Sequence, residues 1–168
     1  GKTFADLNSN SIQDNGEPSL TGKKITEQST GRFSFSQTNG QYYVSVLDTG
    51  NYTVSASSQM WYYPNPGLHT ATFTGTNQTD SLNDFAYQPI GNFDDVCVTI
   101  TPLGQFRSGF SASYQINYGN YGTTTIAPTI YFYPDTNVSF QSATLTPSQI
   151  TPDSVLWNLP ALTPFQTG

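Results

Sequence analysis

The chain has 168 residues, enough for one large domain or two small ones, and only 10% of them are charged, against about 25% in an ordinary soluble domain. A formal net charge of −6 works against nucleic acid and anionic membrane surfaces as partners. One cysteine, Cys97, excludes an intrachain disulfide, and no run of about 18 apolar residues offers a helical membrane span.

The first informative stretch runs from Asp6 to Glu17. Asp6, Asn8, Asn10, Asp14 and Glu17 take the first, third, fifth, ninth and twelfth places of a twelve-residue window. Calcium takes about six to eight oxygens at about 2.3–2.6 Å, and a chain coiling around the ion supplies them at this spacing. Four of these side chains would each give an oxygen, Glu17 would give two, and Ile12 at the seventh place would give its backbone carbonyl. Asp6, Asp14 and Glu17 carry enough charge to neutralise a divalent ion. The plainer reading is a polar loop, since Asn, Asp and Ser side chains readily bond nearby backbone. The sixth place usually holds Gly. Here it is Ser11, which reaches a left-handed conformation only at some cost. No helix can flank this loop: five residues precede it and Pro18 follows it. The ion would therefore staple β-structure and would not drive a sensor.

Beyond the loop the apolar residues alternate with period two, which marks half-buried strands. Phe33 and Phe35 alternate with Ser34 and Ser36. Asn39-Gly40 is a turn signal, and Tyr42, Val44 and Val46 then alternate again, so residues 32–46 are predicted as a hairpin. Tyr52, Val54 and Ala56, then His69–Phe73 and Phe85–Tyr87, continue the meander. A boundary is expected after Gln88, and the pattern restarts with Val96, Val98 and Ile100. Further strands are predicted over 110–118, 126–133, 138–143 and 155–159. Cys97 is predicted as a half-buried structural thiol. No segment has a helical period, so the chain reads as all-β, two consecutive small β-sandwich domains over residues 1–88 and 89–168. The second has about five strands and is expected to be completed by further chain or by a partner copy. The chain as a whole is read as a piece of a longer polypeptide.

Asp6-x-Asn8-x-Asn10-x-Ile12-Gln13-Asp14-x-Gly16-Glu17-Pro18, with Gly50-Asn51-Tyr52-Thr53-Val54, resembles the B-type repeats of staphylococcal serine–aspartate repeat surface proteins, which are related to collagen-adhesin B domains. The resemblance covers about residues 1–88 and implies a calcium-stabilised, prealbumin-like sandwich. Tyr114-Gln115-Ile116-Asn117-Tyr118-x-Asn120-x-Gly122-Thr123-Thr124 and Val155-Leu156-Trp157-Asn158-Leu159 resemble a conserved surface-repeat module with an immunoglobulin-like fold. The two together look like a segment of large Bacteroidetes surface proteins.

Three function classes follow. The first is a non-catalytic structural or stalk module of a secreted or cell-surface adhesin, whose partners are the neighbouring domains of its parent and a host or environmental glycan or protein. The second is a glycan-binding accessory module of a larger secreted enzyme. Its candidate platform is Trp61, Tyr62 and Tyr63, rings whose plainer reading is sandwich core. The third is an enzyme, and it is the weakest. His69 is the sole histidine and has no visible triad or zinc partner, while Asp94-Asp95 reads as a solvated strand start. The expectation is an extracellular protein with calcium as cofactor and no catalytic activity.

Overall fold

In the computed structural model, which describes all 168 residues, the chain is all-β. It forms two compact units, Gly1–Gly91 and Asn92–Gly168. The boundary expected after Gln88 falls inside a strand that runs on to Pro89, and Ile90 N still donates to Trp61 O at 3.0 Å.

The first unit holds two sheets. One has the order β1 (Thr3–Ala5), β7 (Phe85–Pro89), β5 (Tyr62–Asn65), with β1 parallel to β7 and β7 antiparallel to β5. The other is antiparallel, in the order β3 (Phe33–Phe35), β2 (Lys24–Glu27), β4 (Gly50–Ala56), β6 (Leu68–Phe73). β7 occupies the middle of its sheet, and Phe85, Ala86, Tyr87 and Gln88 are all buried. A strand covered on both faces reads as a continuous run and does not alternate. Phe4, Leu20, Ile25, Tyr42 and Tyr62 complete this core. The Tyr87 hydroxyl donates to Ser57 O at 2.7 Å, and burial pushes its phenol up to about 12.

The predicted hairpin over 32–46 does not form. Asn39-Gly40 does turn the chain, with Gly40 N bonded to Gln37 O at 2.8 Å and Gly40 at φ +78°. The outgoing segment then joins β1 and not β3: Lys2 bridges Gln41, and Tyr42 N donates to Gly1 O at 3.0 Å. A Cβ at Gly40 would run into the Thr3 carbonyl oxygen, so glycine permits the approach. Tyr42 gains burial against Phe85, 6.0 Å between ring centroids. β3 pairs instead with β2.

The turn after β2 is built on one carboxylate. Glu27 Oε1 accepts Ser29 N and Oγ at 2.9 and 2.8 Å, and Oε2 accepts Thr30 N and Oγ1 at 2.8 and 2.5 Å. Gly31, at φ +71°, closes the turn with its N–H on Glu27 O at 3.0 Å. The Thr30 hydroxyl, followed by the Ser29 amide, lowers the Glu27 pKa from 4.5 to about 2. The local turn covers this side chain, and hydrogen bonding outweighs desolvation.

The second unit pairs β8 (Val96–Pro102) with β9 (Tyr114–Asn120), and β10 (Thr129–Phe132) with β12 (Val155–Asn158) and β11 (Gln149–Ile150), all antiparallel. Val155, Trp157 and Leu159 form its core, with Ile116, Tyr118, Ile130, Phe132 and Phe140 packed against them. Trp157 Nε1 donates to Leu145 O at 2.9 Å. The fully buried Asn120 side chain donates to Thr124 O and Leu162 O at 2.7 and 2.9 Å. Residues 110–113 and 138–143 are irregular and not strand, although Phe140 still reaches the core. Cys97 is exposed, because β8 has a single neighbouring strand and is open along its whole length.

Two outcomes follow from this architecture. Trp157→Ala should lower the stability of the second unit by about 3–5 kcal/mol through loss of buried volume, measured by urea unfolding. A depressed carboxylate pKa gives stability that is present above 4.5 and is lost as pH falls toward 2. The melting-temperature difference between wild type and Glu27→Gln should therefore be constant above about pH 5 and shrink on acidification to pH 2. A pH-independent difference would contradict the assignment.

Candidate functional site

The Asp6–Glu17 loop leaves β1 and is tied to β7 and to its own exit segment. Asp6 N continues the β1–β7 ladder by donating to Tyr87 O at 2.9 Å, and Ala5 N donates to Pro18 O at 2.9 Å, closing the loop's ends. Asp6 itself has no accessible surface. Its Oδ1 accepts Asn10 N at 3.0 Å, and its Oδ2 accepts Ser11 N at 2.8 Å and Gln88 Nε2 at 2.7 Å. A carboxylate removed from water needs such donors on every free lone pair.

The remaining loop side chains face the same turn. Asn8 Oδ1 accepts Asn10 N at 3.1 Å, and Asn10 Oδ1 accepts Ile12 N at 2.8 Å. Asn8 Nδ2 and Asn10 Nδ2 both donate to Asp14 Oδ2, at 2.8 and 2.7 Å. Glu17 spans the loop mouth: Oε1 accepts Leu7 N at 2.7 Å and Oε2 accepts Asp14 N at 3.0 Å. The Ile12 side chain is 64% exposed, and its backbone N–H donates to the loop at Asn10 Oδ1. Every side chain named from the spacing is thus brought into one hydrogen-bonded turn. All the donors to its three carboxylates are backbone N–H or carboxamide groups, none of them a cation.

Ser11, where the loop pattern usually has Gly, sits at φ 65°. That left-handed backbone costs roughly 1–2 kcal/mol for a residue with a Cβ. Its hydroxyl accepts Asn65 Nδ2 at 3.0 Å and Gln88 Nε2 at 3.2 Å, bonds that glycine cannot make. Gln88 is oriented in turn by Tyr63, whose hydroxyl donates to Gln88 Oε1 at 2.8 Å. Asn65, Gln88 and Tyr63 were invisible to loop spacing, because they lie 54 and 77 residues from Ser11 in the case of Asn65 and Gln88. No local signal announces them.

The donor set is all oxygen in kind, three carboxylates, two carboxamides and a carbonyl, and it suits a hard cation. The acidic side chains do not by themselves make a cluster: no three Asp, Glu, His or Cys side chains are grouped for an ion. The amide oxygens of Asn8 and Asn10 and the Ile12 carbonyl are needed to complete a shell.

Trp61, Tyr62 and Tyr63 do not share a face. Tyr62 is 2% exposed and belongs to the core, with burial pushing its phenol up to about 12. Tyr63 turns to Gln88. Trp61 sits at φ 67° where the chain enters β5. His69 packs its ring edge-on to Phe85, 4.9 Å between centroids, with Nε2 2.7 Å from Asp84 O. Asp94 accepts the Thr124 hydroxyl. In the second unit a cleft of about 240 Å³ lies among Val98, Ile100, Ile116, Tyr118, Ile130 and Phe132, and its walls are mainly apolar.

No family model matches this chain, and comparison with curated proteins and with solved structures also gave no match.

The relay from Tyr63 through Gln88 to Asp6 can be tested directly. Gln88→Leu should destabilise the first unit by about 1–3 kcal/mol, since it leaves a buried carboxylate oxygen short of a donor. Tyr63→Phe, which frees only the Gln88 oxygen, should cost about 0.5–1.5 kcal/mol. Urea unfolding of both variants and their double mutant should show non-additive losses, because the two residues act through one carboxamide.

Proposed function

We propose that the Asp6–Glu17 loop binds one calcium ion and that the chain is a non-catalytic stalk segment of a secreted or cell-surface adhesin. One observation carries the reading. Five oxygen-bearing side chains in calcium-loop order fold into a single turn whose first ligand, Asp6, is buried at the end of a central ladder. The ion would be held by Asp6, Asn8, Asn10, the Ile12 carbonyl, Asp14 and Glu17. Its contribution is charge: it offsets three carboxylates confined to twelve residues that otherwise repel one another.

The chain's own residues do the rest. Gln88 and the amides of Asn10 and Ser11 hold the Asp6 carboxylate in place. Glu17 pins the loop's two ends. Asn65 and Gln88 fasten Ser11 to β5 and β7. An ion bound there would tie β1 and β7 together through Asp6. That is a mechanical role, and it needs no open coordination position and no nucleophile.

The resemblance to B-type repeats supports a prealbumin-like sandwich for the first unit. The surface-repeat resemblance supports an immunoglobulin-like module for the second, with the open strand β8 met by neighbouring domains of the parent. An extracellular setting follows from the same resemblance and from the low charge, and calcium is abundant there.

An ion that binds only the folded state stabilises it by mass action, by about 2.7 kcal/mol when its concentration is 100 times Kd. Melting of the first unit should therefore rise with calcium and fall on chelation with EDTA, and calorimetric titration should give one ion per chain. Asp6→Ala should melt at the same temperature with and without calcium. A wild-type melt indifferent to chelator would refute the proposal.

A further inference from the structure

Tyr131 and Tyr133 lie two residues apart along β10 and its end, so they emerge on one face of the sheet. Ile130 and Phe132 turn the other way and pack on Val155, Trp157 and Leu159. The two phenol rings are 57% and 69% exposed. They are also nearly parallel, with 8° between planes and 6.3 Å between centroids. The exposed pair Phe33 and Phe35, by contrast, meets edge-to-face at 78°.

Strand register extends the face. Tyr131 stands opposite Leu156, which stands opposite Gln149, and Thr129 stands opposite Asn158. The Thr129 hydroxyl donates to Asn158 Oδ1 at 3.0 Å, which orients that carboxamide. β10, β11 and β12 contain no charged residue. The face therefore offers two parallel aromatic rings bordered by hydroxyl and carboxamide groups, with no charged side chain on its three strands.

That combination selects its ligand. Aromatic rings present apolar faces and a polar tip, which matches a pyranose ring, apolar on its C–H face and hydroxylated at its rim. Parallel rings match a chain of equatorially linked pyranoses, whose successive rings keep parallel planes. An anionic glycan or acidic peptide would find no cation here. A protein partner would be expected to meet more aliphatic surface or an arginine, whereas among the outward residues Tyr131, Tyr133, Thr129, Gln149, Asn158 and Leu156 the last alone is aliphatic. We propose that the outer face of β10–β12–β11 is a binding site for a neutral, equatorially linked glycan, with Tyr131 and Tyr133 as its stacking platform and Gln149 and Asn158 as hydrogen-bonding groups. This site lies in the second unit and does not rest on the calcium reading.

The test is calorimetric titration of the full chain with cellohexaose, xylohexaose and chitohexaose, each in calcium and in EDTA. Saturable binding of at least one is expected, with the same affinity in both buffers, so failure of the calcium reading would leave this result standing. Tyr131→Ala and Tyr133→Ala should each weaken binding at least about fivefold, the scale of one aromatic contact. Tyr131→Phe, which keeps the ring, should bind within about twofold of wild type. Should an alanine variant melt early, Tyr131→Leu decides, because it keeps apolar bulk without the ring and should lose binding. The proposal is overturned if none of the three sugars binds, if binding survives both alanine variants, or if the variants alter self-association in sedimentation and leave sugar binding unchanged.

Discussion

Asp6 is a carboxylate with no accessible surface at the end of the strand that opens the chain, and the first unit is arranged around keeping it solvated by protein. Burying an isolated charge is costly enough that a protein normally neutralises or pairs it. Here no cation pairs with it, and three N–H groups take that place. Two of the three come from its own loop, so the chain must coil tightly enough to aim the amides of Asn10 and Ser11 back at their starting point. The left-handed backbones of Ser9 and Ser11 are what that coiling requires. The third donor comes from β7. The loop is thus shaped by its first residue and anchored to β7, the central strand of its sheet.

The anchoring explains why a serine stands where glycine would be easier. Glycine would remove the local strain, but it would also remove the hydroxyl that receives Asn65 and Gln88. Two neutral hydrogen bonds, each contributing about 0.5–1.5 kcal/mol net, are together of the same size as a left-handed penalty of roughly 1–2 kcal/mol. Tyr63 adds a further constraint by occupying Gln88 Oε1, so the carboxamide presents its nitrogen to Asp6. Through this relay β5, β7 and the loop share one polar network. A cation at the loop would act on the same network, which is how a surface ion can stiffen a core.

The second unit is built on different terms. Its core is one tryptophan strand with a few partners, and one of its two sheets is a two-stranded ribbon with β8 exposed throughout. A ribbon of two strands contributes little on its own, so packing beneath β12 sets the stability of this unit. The same alternation that sends Ile130 and Phe132 inward sends Tyr131 and Tyr133 outward, where their rings lie 8° from parallel. Rings that the sequence grouped at Trp61–Tyr63 are instead divided among core, turn and relay.

Much was legible without coordinates, because some constraints are local. The spacing of Asp6, Asn8, Asn10, Asp14 and Glu17 depends only on how a short chain curls on itself, and the structure brings those residues into one turn. Alternation over Gly50–Ala56, Leu68–Phe73, Val96–Pro102 and Val155–Asn158 marks extended chain, and strands stand there, although β8 is exposed on both sides. Alternation does not name a partner. Phe33–Phe35 pairs with β2, and Tyr42 goes to Phe85, because burial of a whole ring outweighs the short loop closure that favoured a hairpin. Asn65, Gln88 and Tyr63 act on the loop from far along the chain, and which of several exposed tyrosines lie parallel depends on which strands neighbour them. The sequence by itself determined the all-β class and the oxygen-rich turn, since both arise from residues close in the chain. Strand partners, the support beneath Asp6 and the Tyr131–Tyr133 face were decided only by the tertiary structure, since each depends on which distant surfaces compete for the same burial.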